Sequence, residues 1–166
     1  MKDISATKKG LIIGGLLIVL SACLFYVFKL PENGSNQYAV LLLFIAGVIW
    51  ALLDYKRKAA ATAGFKDYFN EGFRTFIVVT LLMVVYTFVF YKLNPQILEN
   101  AIKENNTLVM KEGNRTAAEI DANSDKLRSI FMPMMLIITT IKFLILGALV
   151  AVIGAGFLSQ NQTRKG

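Results

Sequence analysis

Residues 10–28 read GLIIGGLLIVLSACLFYVF, a run of 19 residues without a charged side chain. An α-helix rises about 1.5 Å per residue and the hydrocarbon core of a bilayer is about 30 Å thick, so about 20 apolar residues cross it. The run is therefore long enough to span a membrane. Because lipid cannot bond to free backbone groups, and the run lacks the polar alternation of a barrel strand, we predict a helix.

Four more uncharged stretches follow, at residues 33–53, 75–91, 129–141 and 143–163, and only Lys142 separates the last two. The composition agrees, because 55% of the residues are hydrophobic and 17% are charged, against about 25% charged in an ordinary soluble domain. We predict an all-α, polytopic integral membrane protein with one membrane domain over residues 1–166. Its four transmembrane helices are expected at about residues 10–30, 36–54, 74–92 and 133–159.

Basic residues are unevenly distributed between the two predicted sides of the membrane. The side with both termini and the connection between the second and third spans carries ten basic and four acidic residues, whereas the other side carries seven of each. Lys and Arg accumulate on the cytoplasmic side of membrane proteins. The sequence therefore predicts cytoplasmic termini. The excess positive charge predicts contact with the bilayer's anionic lipids rather than with nucleic acid.

Three connecting segments carry signals of their own. Residues 29–37 are typical of a tight turn. Residues 64–74 repeat phenylalanine at helical spacing, which predicts an amphipathic helix in the cytoplasmic interface that runs into the third span. A docking surface for a cytosolic partner is the alternative for this helix.

The segment at residues 93–130 is the longest polar part of the chain. Pro95 suits the first position of a helix and Gly113 suits a helix stop. Thr116 and Glu119 have the spacing of a capping box. These signals predict an extramembrane, periplasmic helical hairpin between the third and fourth spans, which must pack on itself or on another chain.

Composition excludes several kinds of chemistry. The chain has no histidine and one cysteine, so His-ligated metals, Ser-His-Asp triads, an internal disulfide and Cys-rich zinc sites are ruled out. We find no phosphate-binding loop and no metal-ligand cluster in the sequence. We therefore expect no cofactor and no enzymatic activity.

The single cysteine lies in a motif that suggests processing. Leu20-Ser-Ala-Cys23 matches the bacterial lipobox, and a basic segment with a short apolar core precedes it, as in a lipoprotein signal peptide. The apolar residues after Cys23 instead complete an ordinary span. Lipidation at Cys23, with three spans remaining, is therefore kept as the alternative to an uncleaved first span.

Lys142 is the one charged residue inside a long hydrophobic stretch, and Thr139 shares its helix face one turn earlier. A charge at the bilayer centre costs about 3 kcal/mol, and such residues are often functional. The interpretations are a snorkelling or packing lysine, a contact with an anionic lipid or a partner carboxylate, and a transport pathway.

Small residues at four-residue spacing let transmembrane helices approach closely. The residues of this kind are Gly10, Gly14, Gly47, Ala51, Gly147, Ala151 and Ala155. We predict that they are helix-packing positions, either within the four-helix bundle or between copies of the chain.

The order of these features is similar to that of a bacterial family known as domain of unknown function 4199. The similarity covers essentially the whole chain and includes Phe69-Asn-Glu-Gly72-Phe73-Arg-Thr-Phe76 before the third span and Asn94-Pro95 after it. A glycine-rich last span then runs to a basic tail. The resemblance implies a multi-pass protein of a bacterial inner membrane and brings no catalytic residues.

Three functions remain open at this point. The first is a non-enzymatic accessory or scaffold subunit that binds another membrane protein or a second copy of itself. The second is a small transporter or channel that uses Lys142. The third is a lipid-acting membrane enzyme with acids such as Asp54, Asp67 or Glu71.

Overall fold

The computed structural model describes residues 4–30, 34, 36–59, 62–113 and 115–163. Within these ranges the secondary structure is entirely helical, which confirms the predicted fold class. The elements are α1 (Ala6–Ala22), a π-helical turn (Cys23–Val27), α2 (Asn36–Lys58), α3 (Phe65–Leu93), α4 (Gln96–Glu112) and α5 (Ala117–Thr163). Part of the predicted turn at residues 29–37 lies outside the described residues.

Four of the described helices are long and apolar enough to cross a membrane, as predicted. They are Ala6–Val27, Asn36–Lys58, Phe65–Leu93 and Ala117–Gln160. Each helix extends at one end into charged residues that lie outside the predicted span. The reason is that Lys, Glu and Arg are good helix formers and do not end a helix. The amphipathic residues 65–74 are accordingly the first turns of α3 itself, and α5 continues through Pro133.

The chain divides into two compact units. The first comprises Met1–Met83 and Thr140–Gly166, and the second comprises Val84–Thr139. The boundaries fall inside α3 and α5, so both helices contribute to each unit.

The first unit is a bundle of α1, α2 and parts of α3 and α5. Its fully buried side chains include Leu17, Phe44, Val48 and Val79, and Phe44 meets Phe143 edge to face with ring centroids 5.0 Å apart. Large apolar side chains also cover the outside, among them Leu16, Val19, Leu42, Leu81, Ile145 and Phe157. An apolar exterior of this kind fits hydrocarbon around the helices rather than water.

The second unit contains the end of α3, all of α4 and the first half of α5. Tyr91 meets Phe131 edge to face at 5.2 Å, and the Thr87 and Thr139 hydroxyl oxygens are 3.3 Å apart. The asparagine amide of Asn106 donates to Ser124 Oγ at 2.9 Å and thereby connects α4 to α5.

The end of α4 and the start of α5 lie where the sequence predicts a helix end and a helix start. Gly113 ends α4 with φ of 70°, a left-handed conformation that favours glycine. The predicted capping box is present, because Thr116 N–H donates to the Glu119 carboxylate at 2.8 Å and Glu119 N–H points back to Thr116 Oγ at 3.4 Å.

Candidate functional site

A buried lysine lies between two carboxylates at the end of the bundle where α1 begins. Only 1% of Lys9 is exposed. Its Nζ is 2.8 Å from Asp54 Oδ2 on α2 and 2.8 Å from Glu71 Oε1 on α3. The same ammonium donates to the backbone carbonyl of Ala51 at 3.2 Å. We call Lys9, Asp54 and Glu71 the buried ionic cluster.

Two neighbouring groups complete the surroundings of this cluster. Lys58 reaches back one helical turn and places its Nζ 2.9 Å from Asp54 Oδ2. Thr75 is fully buried and donates its hydroxyl to the carbonyl of Glu71 at 2.8 Å. With Lys58, two positive and two negative charges are brought together, so the formal charge of the group is zero.

Helix geometry explains why these three charges meet. Lys9 belongs to the buried stripe of α1 that also holds Ala6, Gly10, Ile13, Gly14 and Leu17. Asp54 comes one turn after buried Ala51 on α2, and Glu71 is adjacent to buried Gly72 on α3. Each charged residue therefore lies beside the closely packed face of its own helix, where the backbones approach and long side chains can meet.

In the sequence, Lys9 counts only as one of the basic residues on the side with both termini, and that count does not predict its burial. A charge count gives the side of the membrane but not the face of the helix. The available signal was the position of Lys9 directly before the Gly10–Gly14 stripe, which places it on the packing face.

The hydrogen-bonding capacity of Lys9 decides what the cluster can do. An ammonium has three donors and no acceptor. In this structure the three acceptors are Asp54, Glu71 and the carbonyl of Ala51. The cluster thus connects α1 with α2 and α3 and leaves Lys9 no donor for a ligand.

Asp67, the third acid considered for chemistry, is also engaged within the chain. Its carboxylate accepts a hydrogen bond from Gly64 N–H at 2.9 Å, just before α3 begins. This contact satisfies one of the backbone donors that the first turn of a helix leaves without an intrahelical partner.

Lys142 and Thr139 lie one turn apart on α5. Thr139 is 8% exposed, and its hydroxyl is paired with that of Thr87. Lys142 is half-buried, and its Nζ lies 5.6 Å from the centroid of the Phe143 ring. A lipid or partner contact at Lys142 remains a prediction.

The predicted small residues all lie at or near close approaches between helices of the first unit. A Cβ added at Gly10 would lie 2.8 Å from the carbonyl oxygen of Thr75, and one at Gly147 would lie 2.6 Å from the Phe76 ring. The other contacts follow the same pattern: Gly14 meets Leu82, Gly47 meets Ile13, Ala151 meets Gly72, Ala51 is fully buried, and Ala155 is fully buried in a cluster with Leu52 and Tyr68. These surfaces are used inside the bundle.

Cys23 is the first residue of the π-helical turn that continues α1. Its side chain is partly buried and carries a free thiol. Lipidation at this residue remains a prediction. Within the described ranges, no group of three or more His, Cys, Asp or Glu residues is placed to hold a metal ion.

Comparison with known proteins adds the family. No curated protein and no solved structure matches the chain. A family model described as "Protein of unknown function (DUF4199)" matches residues 8–160. This match includes Lys9, Asp54 and Glu71 and all four candidate spans apart from the first residues of α1. The chain therefore belongs to the domain of unknown function 4199 family.

Proposed function

We propose that this chain is a non-enzymatic accessory or scaffold subunit of a bacterial inner-membrane assembly. The observation that carries the proposal is the saturation of Lys9, whose three donors are all used by the chain's own acceptors. A buried charge that is fully paired within the protein fixes helix positions and offers no group to a substrate. The cluster holds α1, α2 and α3 in one arrangement, to which a partner can bind.

Both termini of this subunit lie in the cytoplasm. Exposed basic side chains support this orientation, because Lys8, Arg57, Lys66 and Arg74 belong to the segments at the end of the first unit where α1 begins. Such residues are typical of the cytoplasmic side of a membrane protein. With cytoplasmic termini and four spans, the connection at residues 93–130 lies on the periplasmic side by chain topology.

We infer that the surface that binds the partner lies on α4, in the second unit. This helix exposes 64% of Met110 although it lies in one of the most polar parts of the chain. Exposed apolar side chains on a polar helix are typical of a protein-binding surface. The occupant is another membrane protein or a second copy of this chain.

The test is co-purification in mild detergent followed by mass spectrometry of the intact complex. The expected result is a stoichiometric partner that is retained through gel filtration. Met110→Gln should release it, whereas Leu108→Gln, at an exposed position on the opposite side of the same helix, should not. A protein that always elutes alone would contradict the proposal.

A small transporter that takes an anion at Lys142 is the second candidate. It is supported by the half-buried position of Lys142 inside the candidate span Ala117–Gln160, because an ionisable residue within a membrane helix is often functional. Replacement of Lys142 by methionine should then abolish anion uptake into proteoliposomes. Unchanged uptake would remove this candidate.

A lipid-acting enzyme has less support. Its candidate acids already accept hydrogen bonds from within the chain: Asp54 and Glu71 from Lys9, and Asp67 from Gly64. A general acid or base must instead be within hydrogen-bonding reach of a substrate proton.

A further inference from the structure

The first turns of α3 present two adjoining stripes that differ in chemistry. Phe65, Phe69, Phe73 and Phe76 follow one another as a ladder of rings, with centroid separations of 6.0, 5.9 and 5.3 Å. Phe65 and Phe73 are 46% and 43% exposed. Large aromatic side chains in water are costly, so these two exposed rings need an apolar neighbour, whereas Phe69 and Phe76 pack inward on the bundle.

The second stripe is basic. Lys66 and Arg74 are exposed and lie two turns apart, with exposed Asn70 between them. At 3.6 residues per turn, positions 66, 70 and 74 follow directly around the helix from positions 65, 69 and 73. The aromatic and basic stripes are thus neighbours on the helix surface.

The opposite side of the same turns is fixed to the bundle. Tyr68 is fully buried, packs with Leu52 and Ala155, and meets Tyr55 edge to face at 5.5 Å. The two stripes are therefore carried on a rigid element whose inner face is already occupied.

Among the residues that the structure describes, no acid lies within ion-pair distance of Lys66 or Arg74, although Asp67 is exposed. Glu71 is paired with Lys9, and Asp67 accepts from Gly64 N–H. The exposed side chain of Arg57, in the last turn of α2, adds a further cation at this end of the unit.

Helix length places the stripes at the membrane surface. α3 has 29 residues, whereas about 20 cross the hydrocarbon core. At 1.5 Å per residue the helix is about 43 Å long, close to the roughly 40–45 Å of a bilayer with its headgroup layers. If α3 is centred in the bilayer, its first turns cross the headgroup layer and enter the edge of the hydrocarbon core. Aromatic rings at this depth contact the upper acyl chains while neighbouring cations reach phosphate groups.

We propose that the first turns of α3 are a binding surface for anionic phospholipid, with the exposed rings of Phe65 and Phe73 against the acyl chains and Lys66 and Arg74 on headgroup phosphates. The inference goes beyond the scaffold role, and it needs no protein partner. Charge complementarity selects the occupant, since both charged side chains of the basic stripe are cations and the exposed rings beside them are apolar.

The experiment uses the full chain in nanodiscs of phosphatidylcholine mixed with a minor share of phosphatidylglycerol. The protein is released into a native mass spectrometer, and the retained lipids are counted by class. The wild type should retain phosphatidylglycerol in excess of its share in the nanodisc. Lys66→Gln with Arg74→Gln should weaken that retention, by about fivefold for each cation removed.

The matched control is Lys103→Gln with Lys111→Gln, which removes two exposed cations from α4. This control should keep the wild-type enrichment. Equal losses in both double variants would show general charge attraction and overturn the proposal. Loss of enrichment on adding inorganic phosphate would show a site for free anions and overturn it as well.

A second measurement does not depend on charge removal. Phe73→Trp is made in a Trp50→Phe background, so that the new indole is the only one in the chain. Its fluorescence should be quenched more strongly by brominated phosphatidylglycerol than by brominated phosphatidylcholine. Equal quenching by the two lipids would contradict the proposed surface.

Discussion

The two units of this protein use the same kind of ion pair in opposite surroundings. In the first unit Lys9 lies between Asp54 and Glu71 with 2% of its side chain exposed. In the second unit Arg128 holds Glu99 through two hydrogen bonds of 3.2 and 3.1 Å, yet the two side chains are 47% and 55% exposed. The pairs have similar lengths, so the comparison isolates the effect of burial.

Burial changes the result of losing one partner. Water replaces the missing hydrogen bonds of an exposed ion, and such pairs contribute little to stability. A buried ion that loses its partner keeps the cost of desolvation without compensation. The first unit should therefore lose much of its free energy of unfolding when a residue of the buried ionic cluster is replaced. Loss of the pair between Arg128 and Glu99 should change the stability of the second unit only slightly.

The largest effect is expected from Lys9→Met, which leaves Glu71 without a cation and leaves Asp54 with Lys58 alone. We expect a loss of about 3 kcal/mol in the free energy of unfolding, measured by denaturant titration in detergent with Trp50 fluorescence. Lys8→Met, one position earlier and exposed, is the control and should be near neutral.

A compensated variant sharpens this prediction. If the loss comes from unpaired charge, Lys9→Met combined with Asp54→Asn and Glu71→Gln should recover most of the stability. A triple variant that is no more stable than Lys9→Met alone would show that packing of the lysine stem, and not charge, carries the effect.

A smaller loss is expected where the first unit depends on close approach instead of charge. Gly147→Leu places side-chain atoms into the Phe76 ring, since even a Cβ would lie 2.6 Å from it. We expect a loss of about 1–3 kcal/mol from overpacking, in the same unfolding assay. Gly156→Leu is the matched control, because no atom lies within 4 Å of a Cβ built there; equal losses at the two glycines would refute the packing argument.

In the second unit, acid should loosen the contact between α4 and α5. The hydrogen bonds from Arg128 hold the pKa of the Glu99 carboxyl below its ordinary value of about 4.5. The pair therefore contributes fully above that value, and its contribution is lost as the pH falls through the lower folded value. Hydrogen exchange of α4, corrected for intrinsic rates, should lose protection in this acidic range.

Arg128→Gln is the test of that assignment. It should raise the exchange of α4 at neutral pH to the level that the wild type reaches in acid, while global unfolding stays nearly unchanged. If the variant and the wild type respond to acid alike, the pair does not cause the pH dependence.

The smallest effect is expected at Cys23. If the first helix is retained, Cys23→Ser leaves the intact mass of the chain unchanged except for the substitution, and leaves unfolding unchanged. Cleavage before Cys23 would remove Lys9 and the Gly10 and Gly14 contacts of the bundle. A wild-type mass that lacks residues 1–22 and carries lipid would contradict this expectation.

The sequence was sufficient for the elements whose cause is local. Long uncharged runs predict membrane helices because the bilayer has a fixed thickness, and Gly113 and the Thr116–Glu119 pair predict helix ends because they act on neighbouring backbone groups. The family resemblance rested on the order of these elements and is confirmed over residues 8–160.

The buried ionic cluster was beyond this kind of reasoning. Lys9 and Glu71 are 62 positions apart in the chain, and only the packing of three helices decides that they meet. A count of charges does not show which face of a helix a residue occupies. Lys142 was therefore the conspicuous lysine, because it is the only charge inside an apolar block, whereas Lys9 lies at the edge of one. Lys9 differs from Lys142 because it directly precedes a glycine stripe, and this pattern indicates a position on the packing face of the helix.

The separation between Lys9 and its acids has a consequence for biogenesis. At a synthesis rate of roughly 5–20 residues per second, Glu71 follows Lys9 out of the ribosome by several seconds. Until α2 delivers Asp54, the ammonium on α1 has neither acid of the cluster beside it, and its long side chain points toward water at the membrane surface. The cluster is complete only when α3 delivers Glu71, so α1 reaches its final position only after most of the chain before α4 has been made.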